Sequence, residues 1–193
     1  MPLTLVRHDS PSADAEPDAR LVAGLRAGDA KAVETLVLRY HGPLMGYLLR
    51  VGGGQSGVAE DLHQQTWLSV MQNAARFDDR AGGGFKAWLF RIATNKANDL
   101  WRRRRREAGD DALALVAGPQ PGDRLEAAEE AARLRDAIAK LPEAQRQVLL
   151  MRYYGGLKFV EIAEALGCPL NTALGRMHKA MIKLKELMEE KLD

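Results

Sequence analysis

Thr172, Arg176, Lys179 and Lys183 recur at intervals of four, three and four residues, which lays one hydroxyl and three cations along one side of a helix. Such a stripe suits noncovalent recognition, with arginine or lysine reaching guanine edges in a major groove while neighbouring cations hold phosphate. Upstream, a helix carrying Trp88, Arg91, Asn95, Lys96 and Asn98 runs into five consecutive arginines, Arg102 to Arg106. Basic blocks of this kind suggest a polyanion partner. Trp88 has an equally direct reading as core, and Asn95 and Asn98 as solvated positions. Bond-making chemistry has no comparable parts: His8, His41, His63 and His178 are scattered. No HExxH or phosphate-cradling Gly-rich Lys-Ser/Thr motif is present, so the chain reads as a non-enzyme without cofactor or metal.

These residues need helices to hold them. Two helical patterns run from Asp18 to about Arg50, split at Gly28-Asp29, where Asp29 is placed to cap the second. A break at GGGQSG precedes AEDLHQQTWLSVMQNAARF, with Asp61, Gln64 and Gln65 on a polar face and Leu62, Trp67 and Met71 on an apolar one. After the loop DDRAGGG, apolar residues at 85, 88, 89, 92 and 93 mark the buried face of the basic helix. Beyond position 125 four helices are expected, near 126–140, 142–154, 159–166 and 170–191. The last two are joined by a Gly167-Cys168-Pro169 turn, a helix-turn-helix pattern in which small Ala163 lets the helices approach. No period-two alternation suggests a strand, and the expected fold class is all-α, two small helical domains joined by a flexible acidic linker.

Charge divides the chain in the same places. The net charge of +2 resolves into +5 over residues 1–106, −6 over 107–130 and +3 over 131–193, so two basic blocks flank an acidic bridge. Gly118, Pro119, Pro121 and Gly122 forbid a continuous helix through that bridge. The expected division is a disordered tail at 1–19, a first domain at 20–106, a linker at 107–127 and a second domain at 128–193. Cys168 is the sole cysteine, which excludes an internal disulfide and a cysteine-based zinc site. The first 19 residues lack the apolar run of a signal peptide, and nothing approaches the ~20 apolar residues of a membrane span. A cytoplasmic protein with no membrane partner is the expectation.

The sequence resembles the group IV, or extracytoplasmic-function (ECF), branch of the sigma-70 family of bacterial RNA polymerase specificity subunits. The region 2 pattern appears as GDAKAVETLVLRY (28–40), AEDLHQQTWLSV (59–70) and FKAWLFRIATNKANDLWRRRRR (85–106), and region 4 as LPEAQRQVLLMRYYGGLKFVEIAEALGCPLNTALGRMHKA (141–180). The resemblance implies that Asp61, Gln64 and Gln65 sit against the coiled-coil clamp of the largest polymerase subunit. It implies that Trp88, Arg91, Asn95, Lys96 and Asn98 engage the minus-ten element, with the loop from Phe77 to Gly84 near an extruded base and Arg102, Arg103, Arg105 and Arg106 contacting DNA. Region 4 would read the minus-35 element through residues 171–179, with Asn171, Thr172, Leu174, Gly175, Arg176 and Lys179 as contacts and Arg146 and Lys158 on phosphate.

Where the family commonly has Val-Lys-Ser in the recognition helix, this chain has Ala173-Leu174-Gly175, so minus-35 specificity cannot be carried over. Leu174 suits a thymine methyl or a protein neighbour, and Gly175 permits close backbone approach. The extra C-terminal domain of some relatives is not expected after region 4. The implied partners are core RNA polymerase, promoter DNA and an anti-sigma protein. The alternative is a free-standing helix-turn-helix regulator with a dimerising or sensing N-terminal bundle. A further expectation is that the linker acids Asp110, Asp111 and Asp123 fold back on the arginines in the free protein and weaken DNA binding.

Overall fold

The structure, a computed structural model, describes residues 17–78, 84–108 and 125–189. Its elements are α1 (Asp18–Ala27), α2 (Ala30–Val51), α3 (Ser56–Asn73) with a 3-10 turn (Ala74–Arg76), α4 (Gly84–Ala108), α5 (Leu125–Ala139), α6 (Glu143–Tyr153), α7 (Phe159–Ala165) and α8 (Leu170–Glu189). No strand occurs among the described residues, as the all-α expectation required. The acidic stretch with Asp110, Asp111 and Asp123 lies outside the described residues, as does most of the 77–84 loop.

The ends of α1 and α2 follow from local chemistry. Gly28 takes a left-handed φ of 77°, and its N–H and that of Asp29 close the last carbonyls of α1. Asp29 then turns its carboxylate onto the Lys31 N–H at 2.9 Å, a cap worth about 1 kcal/mol. Helix α3 starts earlier than the sequence reading placed it, taking in Ser56 and Gly57. Its Met71 is 44% exposed rather than part of the apolar face, while Leu62 and Trp67 are buried as expected.

Helices α1 to α4 pack in sequence around Leu36, Leu44, Tyr47, Leu48, Leu62, Phe85, Leu89 and Phe90. An aromatic cluster closes one end: Phe77 lies 5.9 Å from Phe85 and 5.3 Å from Trp88, and Tyr40 and Trp67 flank Phe85. Arg26 straps the turn after α3 by donating to the carbonyls of Ala74 and Phe77. At the other end, Trp101 Nε1 donates to the Val51 carbonyl at 3.1 Å, which anchors the arginine-bearing end of α4 on α2. In the second half α8 lies across α5, α6 and α7, burying Ala173, Ala180 and Leu184.

The halves also pack on each other, which composition and periodicity did not indicate. Helix α4 meets α7 and α2 meets α6. Phe90 of α4 sits where Gly155 leaves room; a Cβ there would lie 2.6 Å from the ring. Lys86 Nζ donates to the Gly156 carbonyl at 2.8 Å, and burial lowers its pKa from the ordinary lysine value. Buried hydrophobic residues of the two halves form one connected cluster.

Candidate nucleic-acid interface

On α8 the stripe read from the sequence stands largely in the open. Asn171, Thr172, Lys179 and Lys183 are exposed and Arg176 is half-buried. They stay on one side because Ala173, Ala180 and Leu184 hold the opposite side against the rest of the second half. Lys183 pairs with Glu186 at 2.9 Å, an exposed ion pair that adds little stability but takes one cation of the stripe. Leu174 is 41% exposed, and a Cβ added to the exposed Gly175 would meet nothing within 4 Å. Close backbone approach by a partner is therefore open at Gly175. Helix α7 ends in Gly167, with a left-handed φ of 61°, and the Cys168 N–H returns to the Ala163 carbonyl at 2.9 Å, so the turn between α7 and α8 is locally fixed.

Lys158 is exposed just before α7, where its N–H donates to Glu161 Oε2 at 2.6 Å. Arg146 stands apart from the stripe. It is half-buried and donates from Nη1 to the Ala139 carbonyl at 3.1 Å, on the side of α6 that faces the first half.

The candidates on α4 occupy two environments. Arg91, Asn95 and Asn98 lie on one side of the helix and line a cleft of about 210 Å³ with Thr94, Gln147 and the Ala165–Gly167 end of α7. Arg91 and Asn95 are exposed there, while Asn98 is half-buried and accepts from Gln147 Nε2 at 3.0 Å. Lys96 is half-buried on a different side. Phe77 is only 6% exposed and belongs to the aromatic cluster, with the Arg26 guanidinium 5.8 Å from its ring centre. It is thus a core residue in this arrangement, closed to an incoming base. Trp88 is half-buried against Phe77 and Phe85, between its two readings.

Of the arginine run, Arg102, Arg103 and Arg106 are exposed, and the Arg105 side chain lies outside the described residues. Arg104 folds over Trp101 at 5.2 Å, Arg102 pairs with Asp99 at 3.5 Å and Arg106 Nε reaches the Arg102 carbonyl at 3.2 Å. Most of the run therefore remains accessible to an external anion.

On α3, Asp61 and Gln64 are exposed, and Gln65 Nε2 donates to Asp61 Oδ2 at 2.8 Å, giving an acidic and amide-rich patch away from the bundle core. On another side of α3, His63 accepts from Trp67 Nε1 at 3.2 Å and lies 5.0 Å from the His41 ring. Burial, with a smaller contribution from His41, lowers the His63 pKa. The sequence reading saw these histidines as scattered; the packing of α2 on α3 brings two of them together. Among the described residues no group of three or more His, Cys, Asp or Glu side chains is placed to hold a metal. No helix among them is long and apolar enough to cross a membrane.

Comparison with known proteins bears on the whole arrangement. Sigma-70 region 2 matches residues 36–107, and Sigma-70 region 4 matches residues 131–184, together more than half of the chain. The chain belongs to the sigma-70 family. The "RNA polymerase sigma-H factor" of Pseudomonas aeruginosa is 33% identical over 178 residues, covering 86% of this chain and 90% of that protein. The "ECF RNA polymerase sigma factor RpoE" of Cereibacter sphaeroides is 32% identical over 161 residues, covering 83% and 88%. Among solved structures, CnrH in complex with the cytosolic domain of CnrY superposes with a TM-score of 0.68 at 28% identity, covering 90% of this chain and 97% of that one. RpoE with the anti-sigma factor NepR from Bartonella quintana shares the fold, with a TM-score of 0.67 at 23% identity. Both sigma regions occur in one chain in family order, and the Cereibacter sphaeroides relative is named as an ECF sigma factor. The protein is accordingly an ECF-type sigma factor, and the free-standing regulator finds no support.

Proposed function

We propose that this sigma factor directs core RNA polymerase to promoters through residues 20–106 and 128–193, joined by a linker at 107–127, and performs no bond chemistry itself. The observation that carries the reading is the coexistence of two basic helical faces, on α4 and α8, in a chain that matches region 2 and region 4. Asp61, Gln64 and Gln65 would meet the polymerase clamp, since their patch is polar and largely exposed. Arg91, Asn95, Asn98 and the arginines from Arg102 would engage the minus-ten element. Asn171, Thr172, Leu174, Gly175, Arg176 and Lys179 would enter the minus-35 major groove, with Lys158 on phosphate. A phosphate contact by Arg146, and base capture beside Phe77 and Trp88, would each require rearrangement of the free form. Site of action would be the cytoplasm, where polymerase and chromosome lie.

Asn98 is tied to Gln147 and the α4 cleft is roofed by the end of α7. Promoter opening would then need the halves to separate, with polymerase binding supplying the free energy. An anti-sigma protein that holds the halves together would oppose it; the solved CnrH and RpoE complexes contain partners of those sigma factors. A pull-down of core polymerase at moderate salt tests the reading: retention that weakens on Asp61→Ala with Gln64→Ala supports it, and no retention of the unaltered chain contradicts it.

A further inference from the structure

Beside the α8 stripe lies a groove of about 350 Å³, between α8 and the corner that joins α5 to α6. Lys140 lines it from the corner, and Lys179, Ile182, Lys183 and Glu186 line it from α8. Lys183 pairs with Glu186 at 2.9 Å, so the cations that face an outside anion are Lys140 and Lys179. Both are exposed, and neither side chain has a hydrogen-bond or ion-pair partner among the described residues. In the same groove Ile182 is 48% exposed.

A helix with its side chains is about 10–12 Å across, and the major groove of duplex DNA is about 12 Å wide. A helix seated there therefore has a sugar-phosphate strand along each flank, and groups just beside the helix meet phosphate rather than base edges. Lys179 belongs to the exposed stripe of α8, and Lys140 reaches the same groove from a different element. A DNA strand alternates anionic phosphates with less polar deoxyribose rings. Two cations on separate elements, with an apolar side chain in the same groove, match that alternation. Lysine serves such a strand as a point charge, fixing register without reading sequence.

We propose that this groove takes the backbone of one strand of duplex DNA, with Lys140 a phosphate contact supplied from outside the helix-turn-helix. The assignment rests on the reading of α8 as the helix that enters the minus-35 major groove. To that reading it adds a hold on the flanking strand that is indifferent to base sequence.

Fluorescence anisotropy of the full chain tests it, with a labelled duplex that the unaltered chain selects from a random-sequence pool and with a scrambled version of that duplex. Lys140→Gln should weaken both duplexes alike, by about threefold or more at low salt, and lower the slope of log affinity against log salt by about 0.9. Lys140→Arg, which keeps the charge, should bind as the unaltered chain does. Lys185→Gln, on an exposed α8 residue paired with Glu189 and not among those lining the groove, should leave affinity and slope unchanged. Arg176→Ala should instead cost more on the selected duplex than on the scrambled one. Failure to select any duplex, or selected binding that Arg176→Ala leaves intact, would remove the reading of α8 and the groove with it. Binding that Arg176→Ala weakens while Lys140→Gln changes neither affinity nor slope would overturn the groove alone, as would a Lys140→Gln loss confined to the selected duplex.

Discussion

Two polar stripes in this chain have the same spacing and different access. On α4, positions 91, 95, 98 and 102 follow intervals of four, three and four, as do 172, 176, 179 and 183 on α8. The α8 stripe is mostly exposed, whereas the middle of the α4 stripe faces a cleft capped by α7 and is tied through Asn98 to Gln147. Spacing decides which residues share a side of a helix; tertiary packing decides whether that side is open. On the proposed reading, the free sigma factor would meet duplex DNA first through α8.

The largest expected effect breaks the symmetry of the stripes directly. Without polymerase, Arg176→Ala should weaken binding to a minus-35 duplex by about 1–3 kcal/mol if it reads a base edge, while Asn95→Ala should leave that binding unchanged in the same gel-shift titration. Equal losses would show that the α4 stripe is as available as that of α8.

Gly155→Ala sharpens the comparison from the other side. The new Cβ would fall 2.6 Å from Phe90 and 2.8 Å from the Met151 carbonyl, so the contact between halves must give way. A cost of about 1–3 kcal/mol in urea unfolding is expected for such overpacking, together with faster hydrogen exchange on the α7 side of α4. Gln147→Ala removes partly exposed hydrogen bonds to Asn98 and Glu143, and a smaller cost of about 0.5–1.5 kcal/mol should appear with increased labelling of an introduced cysteine beside Asn98.

The smallest effect lies outside both stripes. His63 has a lowered pKa, so between its folded and unfolded values the unfolded chain binds more protons. Stability should thus be intact above the ordinary histidine value of about 6.5 and decline as pH falls below it. Protonation would also remove the acceptor that Trp67 uses. Thermal melts should show His63→Gln losing less stability than the unaltered chain between pH 7 and pH 5.5.

Local patterns made most of the secondary structure legible. Asp29 announced the start of α2, apolar spacing at 85, 89 and 93 gave the buried side of α4, and Gly167-Cys168-Pro169 marked the helix-turn-helix corner. Contacts between distant residues were not legible. Gly155-Gly156 reads in sequence as a stop, yet Gly155 also leaves space for Phe90 and Gly156 offers its carbonyl to Lys86. Phe77 next to a glycine-rich loop reads as accessible, but Phe85 and Trp88 of α4 pack against it and the Arg26 guanidinium lies over its ring. The convergence of Lys140 and Lys179 on one groove is equally a product of tertiary packing, because their sequence positions carry no shared periodicity. The region 2 and region 4 motifs supplied the functional reading where periodicity alone offered only basic helices.

Promoter-specific initiation is the central claim, and transcription reconstituted in vitro tests it most directly. Core RNA polymerase, fragmented genomic DNA and this chain should yield transcripts with discrete start sites absent from core enzyme alone. Those starts should disappear when Asn95, Asn98 and Arg176 are replaced together by alanine. Start sites identical with and without the chain, or unaffected by the triple replacement, would contradict the account.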